Sequence, residues 1–219
     1  GDRVRSESKV ISLYGKADIT NNVQVSSIIS VIKSDIRMKT QKTIGDNKTK
    51  TASGKYSNNG FSANTKIAYT KHFANGIALV PFAGLNYSKN ADSAFSEKGA
   101  GLYNLSVSGK KSHYVTSVLG GVIRFRQMMA SNISITPTIE ASVNQVLSAK
   151  SDKVKTNLTW NKKTYKHEVD VTQSQKTAVN LGGNLEFTRK NIDFIAAYNT
   201  TLKKKFQSHQ GTLTLRINF

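Results

Sequence analysis

The stretch GTLTLRINF, residues 211–219, decides the fold. From Leu213 every second residue is apolar (Leu213, Leu215, Ile217, Phe219), and the residues between are polar (Thr212, Thr214, Arg216, Asn218). A period of two is that of a β-strand with one apolar and one polar face. Chain ends usually fray unless something ties them down. An edge strand exposed to lipid is intolerable, so a terminal strand that closes a cylinder must stay ordered to its end. An aromatic at residue 219 then sits where the interfacial girdle of a membrane barrel belongs. The pattern predicts that this strand pairs on both sides and closes a barrel.

The same period recurs upstream. FSANTKIAYTK sets Phe61, Ala63, Ile67 and Tyr69 against Ser62, Asn64, Lys66 and Thr70; NISITPTIEASVN sets Ile133, Ile135, Ile139 and Val143 against Ser134, Thr138, Glu140 and Ser142. KTAVNLGGNLEFT sets Val179, Leu181, Leu185 and Phe187 against Asn180, Asn184 and Glu186. With less regular segments, about nine strands are predicted: 9–18, 23–38, 60–72, 76–88, 113–127, 132–147, 175–189, 191–203 and 209–219. The second is ambiguous, since Ile28, Ile29, Val31 and Ile32 occupy both faces, as in a fully buried strand or at a bulge. The longest apolar run, Ile77 to Leu85, is too short for a spanning helix, which needs about 20 residues, but not for a spanning strand.

Connections alternate in length. DITNN, KHFANG, QMMASN and TRKN are short; long polar stretches fall at 39–59, 89–112 and 148–174, with a shorter tip near 204–210. Outer-membrane barrels segregate tight periplasmic turns from long outside loops in this way. The polar face carries Lys66, Arg124, Arg126, Glu140, Asn184, Glu186 and Arg216, which in a barrel point into the lumen. In a soluble sandwich the same residues would face water, and periodicity alone does not choose. The fold class expected is all-β, an antiparallel transmembrane β-barrel.

The formal net charge of +19 calls for a polyanionic neighbour. Much of it lies in 148–174, where Lys150, Lys153, Lys155, Lys162, Lys163 and Lys166 surround Trp160; this basic loop is a candidate for lipopolysaccharide phosphates or host acidic glycans. No nucleic-acid-binding signature accompanies the charge. Cysteine is absent and the four histidines have no ligand spacing, so no metal, cofactor or catalytic residue is expected. The glycine pairs 120–121 and 182–183 fall in mid-strand, where barrel curvature can use them.

The segment from Ile77 to Arg126 resembles the middle of the autotransporter β-domain, the translocator of type V secretion. VPFAGL (Val80–Leu85), the segment Glu97–Leu105, the Gly-containing strand Val115–Phe125 and ITPTIEASV follow in the family's order, and residues 191–219 are similar to its closing pair of strands. The Lys- and Asn-rich composition resembles rickettsial surface-antigen autotransporters. The resemblance implies an outer-membrane pore that anchors and exports an N-terminal passenger. It also implies that Phe219, with Leu215 and Ile217, is the signal read by the barrel-assembly machinery, although the family's second aromatic and glycine are here Ile217 and Thr214. Some relatives cleave their passenger with lumen acids; Glu140 and Glu186 would be the candidates, with ion pairing favoured over catalysis. The family barrel has twelve strands and the nine predicted here align with its last nine, so residues 1–219 are expected to be an N-terminally truncated translocator domain or a split gene product. A stand-alone barrel adhesin and a soluble basic nucleic-acid-binding β-protein are the alternatives.

Overall fold

The structure is a computed structural model that describes residues 2–44, 48–125, 127–129, 133–160, 163–170 and 176–218. Its strands in chain order are β1 (Arg3–Asp18), β2 (Val23–Ile44), β3 (Lys48–Tyr69), β4 (Lys71–His72), β5 (Ile77–Asp92), β6 (Phe95–Ser96), β7 (Leu105–Val107), β8 (Lys110–Phe125), β9 (Gln127–Met129), β10 (Ile133–Ser151), β11 (Val154–Trp160), β12 (Lys163–Val169), β13 (Thr177–Arg189), β14 (Ile192–Lys203) and β15 (Phe206–Ile217). Nine long strands form one antiparallel meander in the order β1-β2-β3-β5-β8-β10-β13-β14-β15, curled into a half-barrel. No described helix is long and apolar enough to cross a membrane.

One face of this sheet is apolar and open. Leu13, Ile29, Ala63 and Tyr87 are cross-strand neighbours along one row, and Ile123, Ile139 and Gly183 along another. The outward residues Leu119, Ile139 and Leu213 are 64%, 59% and 74% exposed, values that a water-soluble sheet would not maintain over nine strands. The opposite, concave face carries Ser134, Thr138 and Ser142, all buried. A single period-two pattern thus separates a lipid-facing exterior from an inner wall.

Four expectations need correction. Closure is absent: among the described residues β15 pairs with β14 alone and β1 with β2 alone, so closure within this sheet does not explain the ordered last strand. The region 39–59 is mostly strand, because β2 and β3 stay in register from Val23↔Tyr69 to Ile44↔Lys48; its polar residues lack the apolar alternation that marks a strand, yet the hairpin ladder needs only backbone groups. The ambiguous second strand is neither buried on both faces nor bulged; Ile29 and Val31 face outward while Ile28 and Ile32 face inward. Finally, the alternation of loop lengths fails at the last hairpin. Lys203 pairs with Phe206 and Arg189 with Ile192, so the connections at both ends of β14 have two residues, with Lys205 (φ 64°) and Lys190 (φ 53°) in the left-handed region that such turns demand. Among the described residues, the main sheet's ladder contains one register shift, between Val146 and Ser148 in β10.

Arginine at Ile139 is expected to cost about 2–4 kcal/mol in urea unfolding from lipid vesicles, as for a cation on the lipid face near mid-bilayer. Glu140→Gln, one residue away on the other face, is expected to change the midpoint little.

Candidate functional site

The inner wall is a groove lined by alternate residues of successive strands, among them Ser26, Asn64, Lys66, Asn86, Glu140 and Asn180. Side chains bridge neighbouring strands: Thr201 Oγ1 donates to Asn180 Oδ1 at 2.8 Å, and Asn180 Nδ2 to Ser142 Oγ at 3.4 Å. The wall is not uniformly polar. Val80, Phe82 and Val122 form a buried cluster with Ala68 and Val118 packed against it, because curling brings the inward side chains of β3, β5 and β8 together. The Lys66 Nζ lies 4.9 Å from the centroid of the Phe82 ring, so this lysine lays its stem over the cluster and gains a cation–π contact.

The glycine pairs split between the two faces. A Cβ on Gly120 would stand 2.6 Å from the Ala141 carbonyl oxygen, the Phe82 ring and Ser142 Cβ, whereas one on Gly121 would meet nothing within 4 Å. Gly182 likewise leaves room for the Asn199 amide, at 2.4 Å from such a Cβ. Their use is close approach on the inner side.

The expected lumen residues spread over this wall rather than gathering. Lys66 and Glu140 line one groove; Arg124 and Asn184 both stand opposite Thr138; Glu186 stands opposite Thr136. Glu140 faces Gly182 on β13, four positions from Glu186, or about 13 Å along the strand. That separation is too great for two carboxylates to share one reacting bond. Arg216 is paired, with its Nη1 3.4 Å from Asp193 Oδ2, and Asn218 Nδ2 reaches the same oxygen at 3.4 Å. Asp193 is buried and was not singled out from sequence; the two-residue turn at Lys204 and Lys205 sets the β14–β15 register that places it opposite Arg216. Leu215 and Ile217 face outward on β15, opposite Phe194 and Ile192. Arg126, Lys162 and Phe219 lie outside the described residues. No cluster of His, Cys, Asp or Glu suited to a metal occurs among the described residues.

At the end away from the short turns, the long stretches fold on one another. β12, β11, β7 and β6 form a second sheet, joined to the first by paired backbone bonds between Ser53 and Lys98. Phe95 stacks on Tyr56 at 5.1 Å, over Gly54, and burial there, with Asp92 nearby, raises the Tyr56 phenol above its ordinary pKa. Gly99 (φ 103°) passes so close to the Thr51 carbonyl that a side chain would not fit. The buried Glu97 accepts from the Lys42 ammonium and the Leu105 amide, and Lys42 also donates to the Tyr103 carbonyl at 2.7 Å. Within the basic stretch, Lys150 stands opposite His113 just before β10 ends at Ser151, Lys153 lies 4.0 Å from Glu168, and Lys155 is cross-strand to Glu168. Lys163 sits 5.6 Å from the Tyr165 ring, Lys166 faces Asn157, and Trp160 ends β11. Glu168 thus dilutes the positive field expected of this region.

Gly120→Ala is expected to cost about 1–3 kcal/mol through forced repacking, and Gly121→Ala close to nothing, read by the temperature at which the folded band is lost on a gel. Lys42→Met leaves a buried carboxylate uncompensated. It should raise amide exchange across Lys98–Val107 by at least tenfold without altering the spanning strands.

The autotransporter beta-domain family model matches residues 1–216. Surface cell antigen sca2 of Rickettsia conorii is 28% identical over 225 residues, covering 99% of this chain and 12% of that protein. Outer membrane protein A of Rickettsia conorii is 27% identical, covering 100% of this chain and 11% of that protein. The chain therefore spans about an eighth of the curated relatives it matches. Among solved structures, the translocator domain of the autotransporter NalP from Neisseria meningitidis superposes with a TM-score of 0.71 at 16% identity, covering 99% of this chain and 69% of that one. The β-domain of the Bordetella autotransporter BrkA gives 0.65 at 12% identity, covering 99% and 75%. With its lipid-facing exterior and its inner wall, this chain belongs to the autotransporter β-domain family of the bacterial outer membrane.

Proposed function

We propose that this chain forms wall strands of the outer-membrane translocator through which its own N-terminal passenger reaches the cell surface, and that it then anchors that passenger. The observation that carries this reading is the two-faced sheet: an apolar exterior backed by an inner wall of Ser, Thr, Asn and scattered charge. The free edges of β1 and β15 fit a cylinder completed by further strands, as in the twelve-stranded family barrel. The protein works without bond-making chemistry; the spacing of Glu140 and Glu186 and the pairing of Asp193 with Arg216 support ion pairing as the role of the wall charges.

Leu215 and Ile217 face outward on the last strand and the sequence continues their alternation to Phe219, which supports the reading of the three as the assembly signal presented to the barrel-assembly machinery. A stand-alone adhesin lacking a passenger is the second reading, favoured by the folded outer region built from 93–109, 152–160 and 163–169.

Protease shaving of intact cells that express the full-length gene product separates the two. Translocation predicts that an N-terminal region is released while the barrel stays heat-modifiable in the membrane; a barrel that inserts with no releasable region leaves only the adhesin. Deleting Phe219 should abolish insertion, seen as loss of the heat-modifiable band, and normal insertion of that variant removes the signal role.

A further inference from the structure

A second cationic surface lies away from the lysine-rich stretch. On the outward face of the extended ends of β1, β2 and β3, register makes direct cross-strand neighbours of Arg3 and Lys39, Lys39 and Ser53, and Ser53 and Lys98. Two residues along the strands, Arg5 faces Arg37 and Arg37 faces Lys55. Arg3, Arg5, Arg37, Lys39, Lys55 and Lys98 line one groove of about 620 Å³, with no acid among its lining residues. Acids flank the groove: in the adjoining row Glu7 faces Asp35 and the Glu7 carboxylate meets Arg5 at 2.9 Å, and at the far end Asp2, next to Arg3, accepts from the Gln41 amide. Like charges placed directly opposite each other in a sheet are destabilising, so this arrangement calls for an anion from outside the chain.

Position identifies the anion. The groove shares its face with Ile11, Val31 and Phe61, the row where the apolar exterior begins, so it looks sideways over the membrane and not away from it. Lys9 and Lys33 face each other two residues beyond that row, and Arg5, Arg37 and Lys55 lie six beyond it. At about 3.3 Å per residue and a strand tilt near 40°, the groove stands roughly 15 Å above the hydrocarbon edge. Phospholipid phosphates lie lower, at about the level of Lys9 and Lys33. The acidic sugars of an outer-leaflet glycolipid rise to the height of the groove, and arginine forks suit their phosphate and carboxylate groups.

We propose that this groove binds the phosphorylated, carboxylated sugar region of an outer-leaflet glycolipid standing beside the barrel. The proposal rests on the outer-membrane placement and adds to it a defined lipid site.

The test uses the full-length gene product extracted from outer membranes in mild detergent, with retained glycolipid counted by native mass spectrometry. Arg37→Ser with Lys39→Ser and Lys55→Ser should lower retention at least tenfold and abolish its loss at high salt. Lys153→Ser with Lys155→Ser and Lys166→Ser, in the loop hairpin, should leave it within twofold of wild type. Should the groove triple fail to insert, the single changes Lys55→Ser and Lys98→Ser carry the test, each expected to lower retention at least threefold. Unchanged retention in the triple, or in both singles, overturns the proposal. So does equal binding to phosphatidylglycerol vesicles and to vesicles containing purified lipopolysaccharide, or displacement by millimolar inorganic phosphate, since either shows that any phosphate suffices. A wild-type protein missing from the outer-membrane fraction refutes the placement itself, whereas correct fractionation with unchanged retention refutes the groove alone.

Discussion

In hydrocarbon each peptide N–H and C=O must find its partner within the protein, and the other features of this molecule follow from that requirement. It selects a sheet, and it favours long uninterrupted ladders: β2 and β3 match residue for residue over their 22-residue lengths. It also fixes which side chains face lipid, since the pleat alternates strictly and a slip by one residue would invert every strand. Side-chain burial plays a smaller part than in a water-soluble domain. The inner apolar cluster holds just Val80, Phe82 and Val122 with two flanking residues, and the remaining stability must come from the ladder and from lipid contact.

The small residues of the inner wall belong to the same economy of space. Curling a sheet crowds its concave face, so Gly120 and Gly182 give room to the Phe82 ring and the Asn199 amide, while their neighbours Gly121 and Gly183 look outward. At the short-turn end the last hairpin is held by Asp193, which gathers Arg216 and Asn218. At the other end, above the membrane, Glu97 gathers Lys42 and the Leu105 amide. Both are buried acids placed outside the apolar zone, at levels where a partly wetted carboxylate and its cation are tolerable.

Much of the fold was legible because lipid exposure leaves an unbroken parity. Leu213, Leu215 and Ile217 gave the last strand and its outward face, and Ile139 with Glu140 gave opposite faces one residue apart. Where polarity stopped alternating, legibility stopped too: residues 39–59 read as loop, although much of the stretch is paired strand. Ile28 and Ile32 were ambiguous because an inner wall need not be polar wherever neighbouring side chains exclude water. The cationic groove was invisible for another reason. Arg3, Arg37, Lys55 and Lys98 are far apart in sequence and meet only through the register of three strands and the bridge from Ser53 to Lys98, while the lysines of 148–174 are conspicuous in sequence and are diluted in space by Glu168.

The register shift in β10 bears on how such walls tolerate change over time. Up to Val146 the even-numbered residues point inward; beyond it Ser148 stands beside Val115 and Lys150 beside His113, so even numbers point outward, and the extra residue Leu147 is exposed. Were Leu147 paired into the ladder instead, Lys150 would aim its charge into the channel and Ala149 would take its place on the rim; left unpaired, Leu147 preserves the match of Lys150 with His113. A one-codon insertion near the mouth of the barrel can therefore be absorbed as an unpaired, exposed residue, which keeps the pairing on both sides of it and leaves the membrane-spanning part below untouched. Lineages can gain or lose such a residue at the mouth with both the channel and the lipid-facing wall held constant.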